Sequence, residues 1–274
     1  MRLKPRSISI TSGKGGTGKT TLTANLGVAL GALGRDTIIL DGDLAMANLA
    51  IVLGMHKCEL SFLDALTGEA DTSSIVYKNY GIKVVPMGFR FEDVHEVLSK
   101  VKRERVEEVI KELFNQTEFL LIDAPAGIQD ATIISIAAAR EMIPVCNPTY
   151  TSLVDAYKIV RLANVLGSWT RGVVVNRTGK AADLSIDEVE TFMSRALGTM
   201  PVLSDIPEDP KVQEAEREGV PVVVYEPECD ASVAIGNLAK VVAGGANLPY
   251  VPYEERSLAE TTNRLIRALT GRTI

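Results

Sequence analysis

An eight-residue loop near the start of the sequence, GKGGTGKT at positions 13–20, constrains the fold more than any other feature. It follows an apolar run at Ser7–Thr11 that predicts a strand, and it precedes a helical pattern over Thr20–Leu33. The residues of the loop, with the threonine that follows it, are Gly13, Lys14, Gly15, Gly16, Thr17, Gly18, Lys19, Thr20 and Thr21. A strand, a GxxxxGK[ST] loop and a helix in this order form a phosphate-binding loop.

The residue types in the loop suit a nucleoside triphosphate. Glycines let the backbone N–H groups wrap a phosphate, and the N-terminus of the following helix adds a favourable dipole. We expect Lys19 to reach the β- and γ-phosphates and the Thr20 hydroxyl to hold Mg²⁺. The alternative is a glycine-rich turn before a helix, which a match at every required position in the right context disfavours.

Short runs rich in Val, Ile and Leu alternate with helical patterns along the chain. The predicted strands are Ser7–Thr11, Thr37–Leu40, Lys83–Pro86, Glu118–Ile122, Glu141–Cys146, Gly172–Val175 and Pro221–Val224. The predicted helices are Thr20–Leu33, Arg103–Phe114, Asp130–Ala139, Leu153–Leu166, Ile186–Leu197 and Ser232–Val242. Strands that are apolar on both faces are typical of parallel sheets covered by helices. We therefore expect an α/β fold with a doubly wound, mostly parallel sheet, whose ligand binds beyond the carboxyl ends of the strands.

Composition and charge narrow the classes of protein that fit. A chain of 274 residues with 46% apolar residues can bury a full core. The net charge of −6 and pI of about 5.2 argue against a general nucleic-acid-binding surface. No apolar run is long enough to span a bilayer, and no apolar segment of signal-peptide length follows the basic N-terminus. The cysteines, Cys58, Cys146 and Cys229, are far apart and suit a reducing cytosol, so we expect a cytoplasmic protein.

The chain divides at a glycine- and proline-containing linker that begins near residue 244. We expect residues 1–248 to form a single ATPase domain of the phosphate-loop class. Residues 249–274 form a tail with a helical pattern over Glu254–Leu269, whose docking the sequence leaves open.

Acidic residues follow two of the predicted strands. Asp41 and Asp43 come directly after the second strand, and Asp123 ends the apolar strand Glu118–Ile122. Carboxylates at these positions can serve Mg²⁺ and the attacking water. Each pattern also has an ordinary explanation, since Asp-Gly-Asp is a common turn and strands often end in aspartate by chance.

Two motifs together resemble the ParA/MinD superfamily of ATPases with a deviant Walker A loop: the second lysine of the loop, Lys14, and the sequence Asp-Ala-Pro-Ala-Gly at 123–127. The resemblance covers about residues 8–242 and implies a P-loop NTPase fold similar to the nitrogenase iron protein. It implies that Lys14 reaches the phosphates of a partner subunit in an ATP-dependent homodimer. On the residues alone, Lys14 could also be a solvated loop lysine.

The resemblance also assigns the acidic residues. Asp43 corresponds to the residue that orients the attacking water, Asn48 to its neighbour, and Asp41 to a supporting carboxylate. With Thr20, the carboxylates Asp41, Asp43 and Asp123 form the expected Mg²⁺ site. The Asp-Ala-Pro-Ala-Gly segment is similar to the MinD form of switch II.

Three other places in the sequence are expected to contact the nucleotide. Gly127 could offer its N–H to a γ-phosphate because it has no Cβ. Asn176 and Arg177 end a strand with an amide that could pair with adenine. The loop Pro207, Glu208 and Asp209 is similar to the second wall of the family's adenine pocket. An ordinary polar loop explains either base-binding segment equally well on sequence alone.

The resemblance implies a MinD-like, Mg²⁺-dependent ATPase that binds ATP and ADP, turns over slowly and dimerises with ATP. It would position a division site or another cell structure, with an activating or regulated protein partner. The alternatives are a regulator of flagellar placement and a ParA-like DNA-segregation ATPase, although the acidic balance makes nucleic acid the less expected partner. An iron–sulfur scaffold would need paired cysteines, and the sequence contains no Cys-x-x-Cys.

The tail suggests a membrane contact. Leu258, Leu265, Ile266 and Leu269 share one helical face, and the charges after Glu260 are three arginines, Arg264, Arg267 and Arg272. A basic helix with an apolar face can lie in the headgroup layer of an anionic membrane, which here would be the inner face of the cell membrane. The tail carries no Phe or Trp after Tyr253, so docking on the domain's own core is the alternative.

Overall fold

The computed structural model describes residues 5–43, 48–88, 103–128, 132–133, 135–136, 139–179 and 182–244. Its strands are β1 Arg6–Ser12, β2 Thr37–Asp41, β3 Tyr77–Asn79, β4 Ile82–Val85, β5 Phe119–Ala126, β6 Glu141–Cys146, β7 Trp169–Thr170, β8 Val173–Thr178 and β9 Val202–Pro207. Its α-helices are α1 Lys19–Ala32, α2 Leu49–Val52, α3 Phe62–Thr67, α4 Arg103–Asn115, α5 Tyr150–Leu166, α6 Ile186–Leu197, α7 Pro210–Glu218, α8 Val222–Tyr225 and α9 Asp230–Val242.

The strands form one sheet in the order β3-β4-β2-β5-β1-β6-β8-β9, with β7 paired to β6. The pairing of β3 with β4 is antiparallel, and the other pairings among the described strands are parallel. Strands β2 to β5 lie on one side of β1, and β6 to β9 lie on the other. This arrangement confirms the predicted doubly wound α/β fold, and it places the loop after β1 at the centre of the sheet.

Both faces of the sheet are buried, because neighbouring residues of one strand enter different cores. Ile39 of β2 belongs to the core that includes residues of α1 and α9, whereas Ile38 belongs to the core that includes residues of α3 and α4. In the same way Val174 of β8 joins the first core, and Val173 joins a third core beneath α5 and α6. Because side chains alternate along a strand, continuous apolar runs can bury both faces.

The predicted strand Pro221–Val224 is wrong, because this segment enters the helical turn α8. The buried Asn25 of α1 accepts a hydrogen bond from the Val223 N–H at 3.1 Å. The Ser232 hydroxyl donates to the Val222 carbonyl at 3.0 Å. These contacts use backbone groups that a strand would need for its ladder. The β-branched run has strand propensity, but tertiary contacts override it.

Strands β3, β7 and β9 are absent from the sequence prediction. Two of them have only three and two residues. Strand β9 lies at the edge of the sheet, with Leu203 and Ile206 buried but Asp205 exposed. An edge strand needs fewer apolar residues than a central one, so its sequence gives a weaker pattern.

Two sequence expectations lie mainly or wholly outside the described residues. Only parts of the predicted helix Asp130–Ala139 are described, and the tail with its helical pattern over Glu254–Leu269 lies wholly outside. The predicted boundary at residue 248 therefore stays a prediction. Within the ranges described above, none of the helices is long and apolar enough to cross a bilayer.

Hydrogen bonds and ion pairs of charged side chains connect the end of α9 to the amino-terminal edge of the sheet. Arg6 donates two hydrogen bonds to the Glu141 carboxylate, at 2.7 and 2.6 Å, and a third to the Val242 carbonyl at 2.6 Å. Arg171 lies 3.5 Å from the same carboxylate and donates to the Val242 carbonyl at 3.2 Å. Two guanidinium groups therefore share one carboxylate and bind the last turn of α9, where cations are favourable.

We predict that Glu141→Gln destabilises the protein. The Glu141 side chain is only 10% exposed, and its loss of charge leaves two neighbouring arginines without their shared counter-ion. We expect a loss on the order of 3 kcal/mol in the free energy of unfolding, measured by chemical denaturation. The control is Glu214→Gln in the exposed Lys211–Glu214 pair, where the change should stay within about 0.5 kcal/mol. Equal losses of unfolding free energy in both variants would contradict the stabilising role given to the Glu141 carboxylate.

Candidate nucleotide-binding site

The loop after β1 is held in shape by a residue from a distant strand. Gly18 is the N-cap of α1 and adopts φ 85°, in the left-handed region that favours glycine. The Asn176 amide of β8 donates to the Thr17 carbonyl at 2.7 Å. A Cβ on Gly18 would lie 2.3 Å from the same amide nitrogen. Both the conformation and the close contact therefore require glycine at this position.

Lys19 and Thr20, the last two residues of the loop, lie beside a buried carboxylate, that of Asp123. Lys19 is 8% exposed and Asp123 of β5 is 2% exposed. Burial raises the pKa of Asp123, while the charge of Lys19 and hydrogen bonds from Thr20 and Thr23 act in the opposite direction. The Thr23 hydroxyl lies 3.2 Å from Asp123 Oδ1. The structure thus brings Lys19 and Thr20 together with Asp123, which lies about a hundred residues later in the sequence.

Asp41 lies beside Asp123, because the register of β2 on β5 pairs these two residues. Asp41 is 1% exposed. Burial and the neighbouring charge of Asp123 raise its pKa to about 7, although N–H groups of Asp43 and Leu49 donate to it at 3.0 and 3.4 Å. Two carboxylates in such a site repel each other when both are ionised, which favours a bound cation.

The donor set at this position fits Mg²⁺. That ion prefers oxygen ligands, keeps several waters and is held by one or two carboxylates together with the phosphates of a substrate. The buried carboxylates Asp41 and Asp123 and the hydroxyl of Thr20 supply this chemistry. A third carboxylate, Asp43, is half-buried and lies two residues beyond the end of β2. Its charge raises the pKa of both other aspartates, which indicates that all three are close.

Asn48 starts α2 and has an exposed side chain. The next residue, Leu49, donates its N–H to Asp41 Oδ2, so the start of α2 is tied to the acidic cluster. Residues 44–47 lie outside the described part of the chain. Asn48 is therefore near the acidic cluster, because the next residue is hydrogen-bonded to it. The expected role of Asn48 beside the attacking water stays a prediction.

Gly127 donates its N–H to the Ser12 carbonyl at 2.9 Å, in a conformation with φ 82°. The contact expected with a γ-phosphate needs the same N–H. That contact would therefore require the hydrogen bond to Ser12 to break, and no sequence pattern indicates this competing acceptor. The role of Gly127 stays a prediction.

Lys14 lies beside the start of α5. Its Nζ is 3.4 Å from the Thr151 hydroxyl. The adjacent Gly13 packs on α5 so closely that a Cβ there would lie 2.4 Å from Asp155 Cβ. Asp155 itself pairs with Lys158 at 3.1 Å. The two lysines of the loop therefore have different neighbours: Lys14 lies beside Thr151, whereas Lys19 lies beside Asp123.

A cleft opens from the phosphate loop between β8 and α7. It is lined by Gly18, Thr21, Leu22, Asn176, Arg177, Ile206, Pro207, Glu208, Asp209, Val212, Gln213, Glu216 and Ile235. All five residues predicted for the base are in this set, so the structure brings both predicted walls to one cleft. One of the two amide N–H groups of Asn176 is used by the Thr17 carbonyl, which leaves the other N–H and the side-chain carbonyl oxygen for a ligand.

The sequence analysis missed the part of the cleft that α7 contributes. The Glu216 carboxylate accepts a hydrogen bond from the Thr21 hydroxyl, which links α7 to α1. Gln213 and Glu216 are three residues apart, so they share one face of the helix. The pair Asp209-Pro210 has the features of a helix start, an N-cap carboxylate followed by proline at the first helical position. This feature could have revealed α7 and its face.

Comparison with known proteins identifies the family. The ParA family model, described as NUBPL iron-transfer P-loop NTPase, matches residues 5–243. The chain belongs to the ParA/MinD family of P-loop ATPases. An uncharacterized ATP-binding protein from Methanocaldococcus jannaschii, MJ0547, is 36% identical over 268 residues, which cover 97% of each chain.

Two solved structures of MinD proteins share this ParA/MinD fold. The cell division ATPase MinD of Pyrococcus furiosus is 39% identical, with a TM-score of 0.76, over 88% of this chain and 99% of that one. The septum site-determining protein MinD of Pyrococcus horikoshii, complexed with Mg-ADP, is 37% identical with the same TM-score, over 89% of this chain and all of that one. These similarities confirm the resemblance to MinD that the loop and switch II motifs indicate.

We predict that the protein without Mg²⁺ and nucleotide becomes more stable as the pH falls from 8 to 6. Asp41 has a folded-state pKa of about 7, above the ordinary value of 3.8. The folded state therefore takes up a proton in a range where the unfolded state stays ionised, and this uptake favours folding. Melting temperatures should rise by several degrees across this range. Asp41→Asn should flatten the dependence, whereas the exposed Asp71→Asn should preserve it. An unchanged slope in Asp41→Asn would contradict the pKa assignment.

Proposed function

We propose that this protein is a MinD-like, Mg²⁺-dependent ATPase with slow intrinsic turnover, which dimerises when ATP is bound and positions a division site or another cell structure. The observation that carries the proposal is the difference between the contacts of the two loop lysines. Lys19 is buried beside Asp123, whereas Lys14 lies near Thr151. The similarity to two MinD structures, one of them with Mg-ADP, supports this proposal.

The phosphate groups would lie on the loop formed by residues 13–18 and at the start of α1. The backbone N–H groups of the loop and the dipole of α1 favour an anion there. Thr17 has a buried hydroxyl without a hydrogen-bond partner among the described residues, and Thr20 and Thr21 follow at the start of α1. The base would lie in the cleft between Asn176 and Arg177 on one side and Pro207 and the residues after it on the other.

Mg²⁺ would be held by the Thr20 hydroxyl with Asp41, Asp43 and Asp123, directly or through water. The bound ion would supply positive charge to the β- and γ-phosphates. The protein residues would do the remaining work by positioning. Lys19 would neutralise phosphate charge from within the subunit, and Asp43 with Asn48 would orient the attacking water.

Lys14 would contribute its charge to the partner subunit. Two triphosphates that face each other across a dimer repel, and a cation donated from each subunit to the other offsets this repulsion. The position of its Nζ, 3.4 Å from the Thr151 hydroxyl at the start of α5, supports this role. The hydrogen bond to an exposed threonine is weak enough to exchange for a phosphate contact.

We predict that Lys14→Ala binds ATP but fails to dimerise with it. The test uses an Asp43→Ala background, in which we expect ATP binding with little hydrolysis because water positioning is lost. Size-exclusion chromatography with light scattering in ATP and Mg²⁺ should show a dimer for Asp43→Ala and a monomer after Lys14→Ala is added. Lys158→Ala, which removes an exposed lysine from the same region, should leave the dimer intact. Lys19→Ala should lose ATP binding itself. A dimer that persists after Lys14→Ala would show that Lys14 is a solvated loop residue and does not act across the dimer.

The target of the ATP-bound dimer is proposed from the sequence of the tail. Its apolar face with three arginines suits an anionic membrane surface. One copy would bind weakly, so a dimer that presents two copies should bind much better. The net charge of −6 disfavours DNA as the target. A MinD-like regulator of flagellar placement would share the membrane contact and differ in its protein partner.

We predict that co-sedimentation distinguishes these targets. With ATP and Mg²⁺, liposomes that contain anionic lipids should recover the full chain several-fold better than with ADP. They should also recover it better than a chain truncated after Glu260. Neutral liposomes and DNA at physiological salt serve as parallel samples and should recover little. Recovery with DNA that depends on ATP and falls steeply with salt would instead support the DNA-segregation class.

The description of the matched family model also names iron transfer, which is an alternative function. Iron or iron–sulfur binding would use cysteine thiolates, so the surroundings of the cysteines test this alternative. The buried Cys146 has a pKa raised to about 12 by burial, which suits an inert core thiol. Cys58 and Cys229 are free and partly buried. Within the described residues no group of three or more His, Cys, Asp and Glu side chains is arranged to hold a metal by itself, so the Mg²⁺ proposed at the three aspartates would also depend on the Thr20 hydroxyl and on phosphate oxygens. We therefore favour the ATP-dependent switch as the function of this chain.

A further inference from the structure

Asp209 lies where the two helices that flank the base cleft begin. It is the N-cap of α7, and its Oδ1 accepts a hydrogen bond from the Lys211 N–H at 2.9 Å. Its Oδ2 lies 3.5 Å from the N–H of Ala231 in the first turn of α9. One carboxylate therefore caps two helix N-termini that are separated by about twenty residues of sequence.

The electrostatics of Asp209 agree with this double contact. Partial burial by itself would raise its pKa, but hydrogen bonds from the Lys211 N–H, the Cys229 thiol and the N–H groups of Ala231 and Asp230 outweigh it and lower the pKa. The carboxylate is therefore ionised and accepts hydrogen bonds only. Both of its oxygens face the protein's own donors.

The two helices that Asp209 joins carry the wall of the cleft. Helix α7 provides Gln213 and Glu216, and α9 provides Ile235. Pro207 and Glu208, which precede Asp209 directly, complete this wall. A displacement of either helix N-terminus would therefore change the shape of the space in which the base is proposed to lie.

We propose that Asp209 is a positioning residue for the nucleotide base, which acts by holding α7 and α9 together and makes no contact with the base itself. This inference rests on the proposed binding of ATP in the cleft. It differs from the expectation, based on family resemblance, that Asp209 is part of the nucleotide-contacting set. The difference is chemical. A carboxylate could contact the adenine ring only through the 6-amino group, the ring's only N–H donor, and that group would have to share an oxygen that already accepts a hydrogen bond from a helix N-terminus.

A comparison of ligands separates positioning from direct contact. The probes are ATP, purine riboside triphosphate, which lacks the 6-amino group, and inorganic tripolyphosphate, each with Mg²⁺ in calorimetry on the full chain. We expect Asp209→Ala to weaken ATP and purine riboside triphosphate by the same factor, about tenfold, as for the loss of one good N-cap or more. Tripolyphosphate, which reaches only the phosphate loop, should bind unchanged.

Conservative variants sharpen the test. Asp209→Asn keeps an acceptor oxygen for the Lys211 N–H, so it should recover affinity to within about threefold of the parent for both nucleotides. If Asp209→Ala does not fold, Asp209→Ser, which keeps a cap on α7 with a shorter side chain, carries the same comparison of ligands. The matched control is Asp205→Ala, an exposed carboxylate of β9 outside the cleft, which should leave all three affinities unchanged.

Three results would overturn the proposal. A loss of affinity for ATP that disappears with purine riboside triphosphate would show direct contact with the 6-amino group. An equal loss for tripolyphosphate would show a general structural defect. Unchanged affinities in Asp209→Ala would show that the wall does not depend on this carboxylate. Failure of the parent protein to bind either ATP or tripolyphosphate is a separate result, which would refute the proposed function itself.

Discussion

The register between β2 and β5 is the constraint on which the rest of the site depends. It pairs Asp41 with Asp123 at the carboxyl edge of the sheet, where both side chains are buried. Two neighbouring carboxylates in this environment are costly unless cations compensate them. Lys19 supplies one positive charge from the start of α1. The remaining imbalance is the physical reason that this edge of the sheet suits Mg²⁺ and a phosphate ligand.

The phosphate loop owes its shape to elements far away in the sequence. Asn176 of β8 holds the Thr17 carbonyl, and α5 packs on Gly13 through Asp155. Helix α7 is linked to α1 through Thr21 and Glu216. The loop therefore lies at the meeting point of several elements, so changes in the loop and movements of α5 or α7 would affect each other.

The agreement between sequence and structure is best where a pattern has one physical outcome. Buried strands such as β2 and β6 can only pair inside a sheet, and their predicted ranges agree with the observed ones within one residue. The segment Pro221–Val224 shows the opposite case. A short β-branched run has little preference of its own, and the hydrogen bond of Asn25 with the Val223 N–H belongs to a helical turn. Edge strand β9 was not predicted because only Leu203 and Ile206 of its six residues are buried.

The sequence by itself determined the phosphate loop, the alternation of strands and helices, and the family, because spacing and periodicity are local properties of the chain. It also indicated which polar side chains follow strands. Only the tertiary structure decided where their hydrogen bonds go. Asn176 bonds to Thr17, Gly127 to Ser12, and Asp209 to the starts of two helices. A polar side chain or N–H group can bond a ligand or the protein's own backbone equally well, and only long-range packing determines which partner lies within reach.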